Sequence, residues 1–563
     1  MLAILGLWPT EVFAKFDPLR VPNNKYGIHI VDPNDIKDIQ PLVNSSGGDW
    51  GYVTIVIQED DRNKEKWQRV FDVMRRDHLI PIVRLATKIE GDSWKTPSSE
   101  SIPDWTAFLN ELNWPIENRY VILFNEPNHA NEWGRTIDPA GYARLALAFT
   151  NALHKASEDY FVLPAGLDVS AASDGKSLDA AEYLKQMHKE APELFESLDG
   201  WTSHSYPNPA FSGSVYATGR GTVRTYAWER GYLASLGVKK SYPMFITETG
   251  WVHSYGVTNN FGLLSPEEVG FALTQAAAFA WTDNQIVAIT PFIFNYQGLP
   301  FDHFSWKKLG SDEYYPHYYS YQLIPKAKGQ PPQRESYDLD HRLIPERLVT
   351  HSSVSLTTKI TNTGQAIISA DDGYVVSLTG PKGFTLVSDR LPTIEPNESG
   401  EIHVHLDLPD TKESYAYSVL LTHGGTSVTL ETGNVILVPP PSVTVNLKLG
   451  WKRVSETDDA TLLLYNTREE LIHKIHGAEV KNGTLRISNL TNVIPNETYR
   501  VVVLVPKYLP RQIIGTIPAD GSTFTIPRMY PLDFDTDGTF TAADVWTMLR
   551  SSPQSILRLI ITP

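Results

Sequence analysis

The chain has 563 residues, too many for one hydrophobic core, so one large domain with smaller ones attached is expected. Its 49 Lys and Arg against 65 Asp and Glu give a net charge of -16, which argues against a phosphate-tracking surface and so against nucleic acid as a partner. It contains no cysteine, which closes disulfide, Cys-bound zinc and thiol-nucleophile chemistry.

The opening run from Met1 to Trp8, followed by Val12-Phe-Ala14, reads as the end of a signal peptide with a small-residue cleavage site. Residues 1–24 are therefore taken as a signal-like segment and the protein as secreted or cell-surface. Nothing later is long and apolar enough to span a bilayer, so no transmembrane span is expected. From Lys25 short apolar runs alternate with amphipathic stretches, the pattern of βα units. Eight strands are expected: Tyr26 to Val31, Tyr52 to Ile57, Ile80 to Leu85, Tyr120 to Asn125, Phe161 to Leu167, Gly200 to His204, Met244 to Thr247 and Ile286 to Phe294. A helix is expected over Arg62 to His78, where Trp67, Val70, Phe71 and Met74 recur at helical spacing, and another after the capping box Ser265-Pro-Glu-Glu268. Eight strands with intervening helices over residues 25–325 fit a (β/α)8 TIM barrel, whose usual length is ~250 residues or more.

Strand four ends in Asn125-Glu126, and Pro127, with no N–H to donate, stops the ladder there. Strand seven, Tyr242-Pro-Met-Phe-Ile-Thr-Glu248, also ends in a glutamate. In a parallel barrel these ends form the catalytic rim, and two carboxylates facing across it are what glycoside hydrolysis requires. Four histidines, His29, His129, His253 and His303, would suit a metal hydrolase if they gathered at that rim. The chain has neither a His-x-His at His29 nor a His-Glu-x-x-His, which weighs against it.

Phe124-Asn-Glu-Pro-Asn128 together with Thr247-Glu-Thr-Gly-Trp251 resembles glycoside hydrolase clan A. With Trp133 and the helix holding Tyr142, it is most similar to family 39 and its exopolysaccharide-cleaving relatives. The resemblance implies Glu126 as general acid/base, Glu248 as nucleophile and Asn125 as a hydrogen-bonder to the sugar 2-hydroxyl. His204-Ser-Tyr206 resembles the clan's His-x-Tyr, implying that His204 lines the site and Tyr206 donates to the nucleophile. Arg84, ending strand three, is the candidate for the clan's arginine beside the nucleophile. Trp133, Trp251, Tyr255, Tyr296 and Trp306 are the candidate sugar-stacking residues.

Pro325 to Pro332 is a polar, proline-rich break. Beyond it, short strands separated by turn signals suggest an Ig-like β-sandwich over residues 333–440 and a second β-module over 442–528. Residues 531–563 form the tail, in which Asp533, Asp535, Asp537 and Asp544 take positions 1, 3, 5 and 12 of a calcium loop. Gly538 stands at position 6, and Thr539 offers its carbonyl at position 7. The tail is similar to half a dockerin, which implies a structural Ca2+ and a cohesin-like or cell-surface partner. No cofactor is expected for catalysis. The expected activity is retaining β-glycosidase action, endo-acting, on a polysaccharide or glycoconjugate. The alternatives are an exo-acting β-xylosidase-like enzyme and a noncatalytic carbohydrate-binding or adhesion protein.

Overall fold

The computed structural model describes residues 16–380 and 382–550, so the signal-like run Met1–Ala14 lies outside the described residues. The chain divides into two compact units, one running to Arg334 and including Gly364–Ala366, the other taking Glu335–Thr363 and the residues from Ile367 onward.

The first unit is built on eight strands, β1 (Gly27–Ile30), β2 (Gly51–Gln58), β3 (Leu79–Ala86), β4 (Arg119–Leu123), β5 (Tyr160–Pro164), β6 (Trp201–His204), β7 (Met244–Glu248) and β8 (Ile286–Ile289). A parallel sheet joins β1 to β5 in chain order, and a second joins β6, β7 and β8. The two sheets meet at both edges. Tyr26 bridges Ile289 in parallel, and the His29 N–H donates to the Pro291 carbonyl at 3.0 Å. At the other seam the Asp199 N–H donates to the Val162 carbonyl at 3.0 Å, and the Thr202 hydroxyl donates to the Pro164 carbonyl. The ring therefore closes with the strands in order. Pro164 has no N–H, which explains why the second seam is held by isolated bonds rather than a ladder.

The strands are buried on both faces, as their unbroken apolar character requires. On β4, Tyr120 and Ile122 point into the ring with Tyr52, Ile82, Phe161 and Phe245, while Val121 and Leu123 face the helices. The expected helices are present at Lys64–Arg76, with Trp67, Val70, Phe71 and Met74 buried, and at Pro266–Gln275 behind a full capping box from Ser265 and Glu268. Several strands are shorter than expected: β1 spans Gly27–Ile30 rather than Tyr26 to Val31, β4 stops at Leu123 rather than Asn125, and β6 starts at Trp201 rather than Gly200. β5 stops at Pro164 rather than Leu167, and β8 stops at Ile289, just before Pro291, rather than Phe294. The stops of β5 and β8 fall at or near a proline that cannot continue donating.

In the second unit two four-stranded sheets face a common core that includes Leu356, Ile360, Val404, Val419 and Leu437. Burial alternates along Ser353–Asn362, as it must in a strand with one wet face. A seven-stranded sheet follows with a core of its own around Val445, Leu462, Val501 and Val503. Its strands Leu471–Lys481 and Tyr508–Thr516 were not expected from the sequence. They are largely exposed and carry little apolar alternation to read. Among the described residues no helix is long and apolar enough to cross a membrane.

Candidate active site

The ring delivers its functional side chains at the C-terminal ends of the strands. Arg84 lies near the end of β3, His204 ends β6 and Glu248 ends β7. His204 and Glu248 are neighbours across the β6–β7 pair, with a register shift between Ser203 and His204 that turns the histidine out of the regular ladder. Glu126 arrives differently. The chain leaves β4 through Phe124 at φ 73° and passes Glu126 at φ 29°, both in the left-handed region that side chains with a Cβ avoid. This contortion is secured by the Glu126 N–H donating to the Gly166 carbonyl at 3.1 Å and the Glu126 carbonyl accepting the His129 N–H at 2.9 Å.

The result is a compact set of charges. Arg84 Nη1 donates to Glu248 Oε1 at 2.8 Å and to Asn125 Oδ1 at 2.7 Å. The Tyr206 hydroxyl donates to the other oxygen of that carboxylate, Glu248 Oε2, at 3.0 Å. His204 Nδ1 lies 2.7 Å from Glu126 Oε1 and 3.7 Å from Glu248 Oε2, between the two carboxylates. One oxygen of Glu126, one of Glu248 and a His204 nitrogen all lie within 4.8 Å of one another.

Burial alone would raise the pKa of Glu248, but His204, Arg84 and the Tyr206 hydroxyl outweigh it and hold the carboxyl below its usual value. Burial likewise works against charging His204, yet Glu248 and Glu126 push its pKa up to about 9. His29, 3.7 Å from Glu248 Oε1, is fully buried and makes no hydrogen bond through either ring nitrogen. Burial and the neighbouring Arg84 bring it down to about 3, so it stays neutral. The site at neutral pH thus sets Arg84 and imidazolium His204 against its carboxylates.

Asn125, Glu126, Arg84, His204, Tyr206 and Glu248, all named from the sequence, come together here. The three tryptophans do not join them. Trp133, Trp251 and Trp306 are only 2%, 3% and 3% exposed, too enclosed to offer a ring face to a sugar. Trp133 packs edge-on against Phe124 and Tyr142, Trp251 donates to the Gly213 carbonyl at 2.9 Å, and Trp306 packs against His317 and Tyr321. Tyr255 is half-exposed but stacks on Tyr315. Tyr296 belongs instead to an aromatic wall that the sequence reading missed. It touches Phe301, which meets Phe292, then Phe304, then Phe211 and Tyr206 beside Glu248. Phe211 and Phe301 are 38% and 39% exposed, so this wall offers the open aromatic surface that the tryptophans lack.

The four histidines do not gather. His29 stands by Glu248, His129 pairs with Asp168 at 3.0 Å, and His253 and His303 hydrogen-bond each other's loops. Among the described residues, only Glu126 with His204 and Glu248, and Asp533 with Asp535 and Asp537, form groups with metal-ligand spacing. In the first group every member is already engaged by hydrogen bonds or ion pairs. In the second, Gly538 takes φ 87°, as the sharp turn requires, and the buried Asp533 Oδ1 has no hydrogen-bond partner. Asp544, at the expected twelfth position, accepts the backbone N–H groups of Phe534 at 2.8 Å and Thr541 at 2.7 Å and so ties the loop to the helix Ala542–Arg550.

Glu132 is the site residue without a forecast. It stands in the turn Ala130–Glu132, and its Oε2 accepts from Asn125 Nδ2 at 3.3 Å. A single acidic residue in a polar loop carries no sequence signal of its own.

No family model and no curated protein matches the chain. Solved structures to which it is similar include a family 39 glycoside hydrolase from the gut symbiont Bacteroides cellulosilyticus, at 13% identity and TM-score 0.39 over 72% of this chain and 82% of that one. A family 51 α-L-arabinofuranosidase from Bifidobacterium longum is similar at 9% identity and TM-score 0.39, covering 85% and 96%. A β-glucuronidase from Bacteroides uniformis is similar at 9% and TM-score 0.35, covering 86% and 64%.

Proposed function

We propose that the chain is a retaining β-glycosidase that cleaves a polysaccharide or glycoconjugate within its length by double displacement. The observation that carries this reading is the pair Glu126 and Glu248, with carboxylate oxygens within 4.8 Å of each other at the rim of a parallel barrel. A retaining pair stands ~5 to 5.5 Å apart, whereas an inverting pair needs ~6.5 Å or more to admit a water. Glu248, kept ionised by Arg84, His204 and Tyr206, attacks the anomeric carbon as the glycosidic bond breaks. The leaving oxygen takes a proton from Glu126. The hydrogen-bonded pair of Glu126 and His204 holds that proton between them, so a shift along the 2.7 Å contact places it on the carboxyl that faces the leaving group. In the second half Glu126 takes a proton from water, whose oxygen attacks the anomeric carbon and releases Glu248. Asn125 presents its amide to the sugar 2-hydroxyl, and Phe211 and Phe301 offer aromatic faces to neighbouring rings. A 1H NMR time course of product anomers decides the stereochemistry: first-formed β-anomer supports the reading, and first-formed α-anomer overturns it.

In the tail, Asp533, Asp535 and Asp537 would hold a structural Ca2+, supported by the buried, unpartnered Asp533 oxygen. A thermal midpoint indifferent to added Ca2+ and to chelator would count against it.

A further inference from the structure

Asn125 is an ambiguous group, since its amide can sit either way round, and the surroundings decide which. Arg84 has only donors, so the atom 2.7 Å from its Nη1 must be the amide oxygen. The amide nitrogen then faces Glu132 Oε2, and a flipped amide would set N–H against guanidinium and carbonyl against carboxylate. We propose that Glu132 is a positioning residue for the glycosidase site: its carboxylate locks the Asn125 amide with Oδ1 on Arg84, leaving one Nδ2 hydrogen for the substrate.

The turn carrying Glu132 is fixed independently of Asn125. Its Ala130 N–H donates to the Lys176 carbonyl at 2.8 Å, the Ser93 hydroxyl donates to the Asn131 carbonyl at 2.8 Å, and the Gly134 N–H donates to the Trp94 carbonyl at 2.9 Å. Burial and the charge of Glu126 raise the Glu132 pKa to about 7, with Glu248 adding and with Arg84 and the Asn125 bond opposing. His129 lies on the same loop. The charges behind the turn are engaged elsewhere, Lys88 with Glu90, Asp92 with Arg135 and Lys95 with Glu59. Glu132 therefore changes charge in the middle of the working pH range, and the strength of its hold on Asn125 changes with it.

This inference rests on the glycosidase reading, and its test separates the two. The wild type, Glu132→Gln and Glu132→Ala are compared from pH 5.5 to 9 on 4-nitrophenyl β-D-glycosides and their 2-deoxy counterparts. Glutamine keeps an acceptor without a charge, so Glu132→Gln should hold kcat/KM at pH 8 within about threefold and lose the inflection near 7. Glu132→Ala removes the acceptor and should cost about tenfold on the parent glycoside but little on the 2-deoxy analogue, which has no hydroxyl for Asn125 to meet. Equal losses on both substrates, or an inflection near 7 that survives in Glu132→Gln, would overturn the inference. If the wild type turns over no glycoside, the glycosidase reading fails by itself. The Asn125 side-chain amide resonance still reports the contact: it should shift near pH 7 in the wild type and not in Glu132→Gln, and no wild-type shift overturns the inference.

Discussion

Tyr206→Phe isolates one of the contacts that keep Glu248 charged. The hydroxyl donates to Glu248 Oε2 at 3.0 Å, and Phe keeps the ring that packs against Phe211 and Phe304, so the change deletes a hydrogen bond and little else. A hydrogen bond to a charged group contributes about 1.5 to 3 kcal/mol, so losing it should raise the Glu248 pKa. The sign follows from which form is stabilised. The hydroxyl favours the carboxylate, so losing it favours the protonated acid, and the acid limb of kcat/KM moves to higher pH. Arg84, 2.8 Å from the other oxygen, still holds the group ionised at neutral pH, so activity near pH 7 survives. The assay is a kcat/KM profile from pH 3 to 8 for both proteins, with circular dichroism to confirm the fold. An acid limb that stays in place in a folded Tyr206→Phe variant would refute the electrostatic account of Glu248.

Glu126→Ala should lower kcat about 10² to 10⁴-fold for glycosides with poor leaving groups and less for activated aryl glycosides, which need no proton; equal losses on both would count against an acid role. Because His204 is raised to about 9, kcat/KM should fall as pH passes that value and the proton shared with Glu126 leaves; a flat profile from pH 8 to 10 would contradict this. Trp133→Ala should destabilise the protein by about 3–5 kcal/mol in denaturant unfolding, with little change in KM, as a core residue rather than a sugar platform would. Phe301→Ala should do the reverse, raising KM with a small stability effect; an unchanged KM on oligosaccharides would remove it from the binding surface.

The strands that lead to Glu126 and Glu248 were legible because an apolar run closed by Pro127, or by Glu248 and a following glycine, is a one-dimensional signal, although β4 itself stops at Leu123. The ring followed from counting such runs, and Arg84, His204 and Tyr206 followed from the resemblance of their stretches to clan A motifs. The platforms were not legible. Trp133, Trp251 and Trp306 resemble Phe211 and Phe301 in composition terms, and only three-dimensional packing decides that the first three are enclosed and the last two open. Spacing likewise does not reveal that the Asp544 carboxylate accepts the N–H groups of Phe534 and Thr541.

The backbone around Glu126 explains why the site sits where the chain departs from regular structure. Left-handed φ values at Phe124 and Glu126 cost of order 1–3 kcal/mol each, and such conformations persist only where the surroundings over-determine them. Here the surroundings do. The Phe124 ring is buried against Trp133 and Phe149, while Gly166 accepts the Glu126 N–H and Glu126 accepts the His129 N–H. A regular continuation of β4 would send successive side chains to opposite faces, separating Asn125 from Glu126. The double reversal instead delivers both to one rim, Asn125 on Arg84 and Glu126 on His204. Trp133, which the sequence offered as a sugar contact, thus packs beneath the site, against the Phe124 ring of the strained turn that carries Glu126.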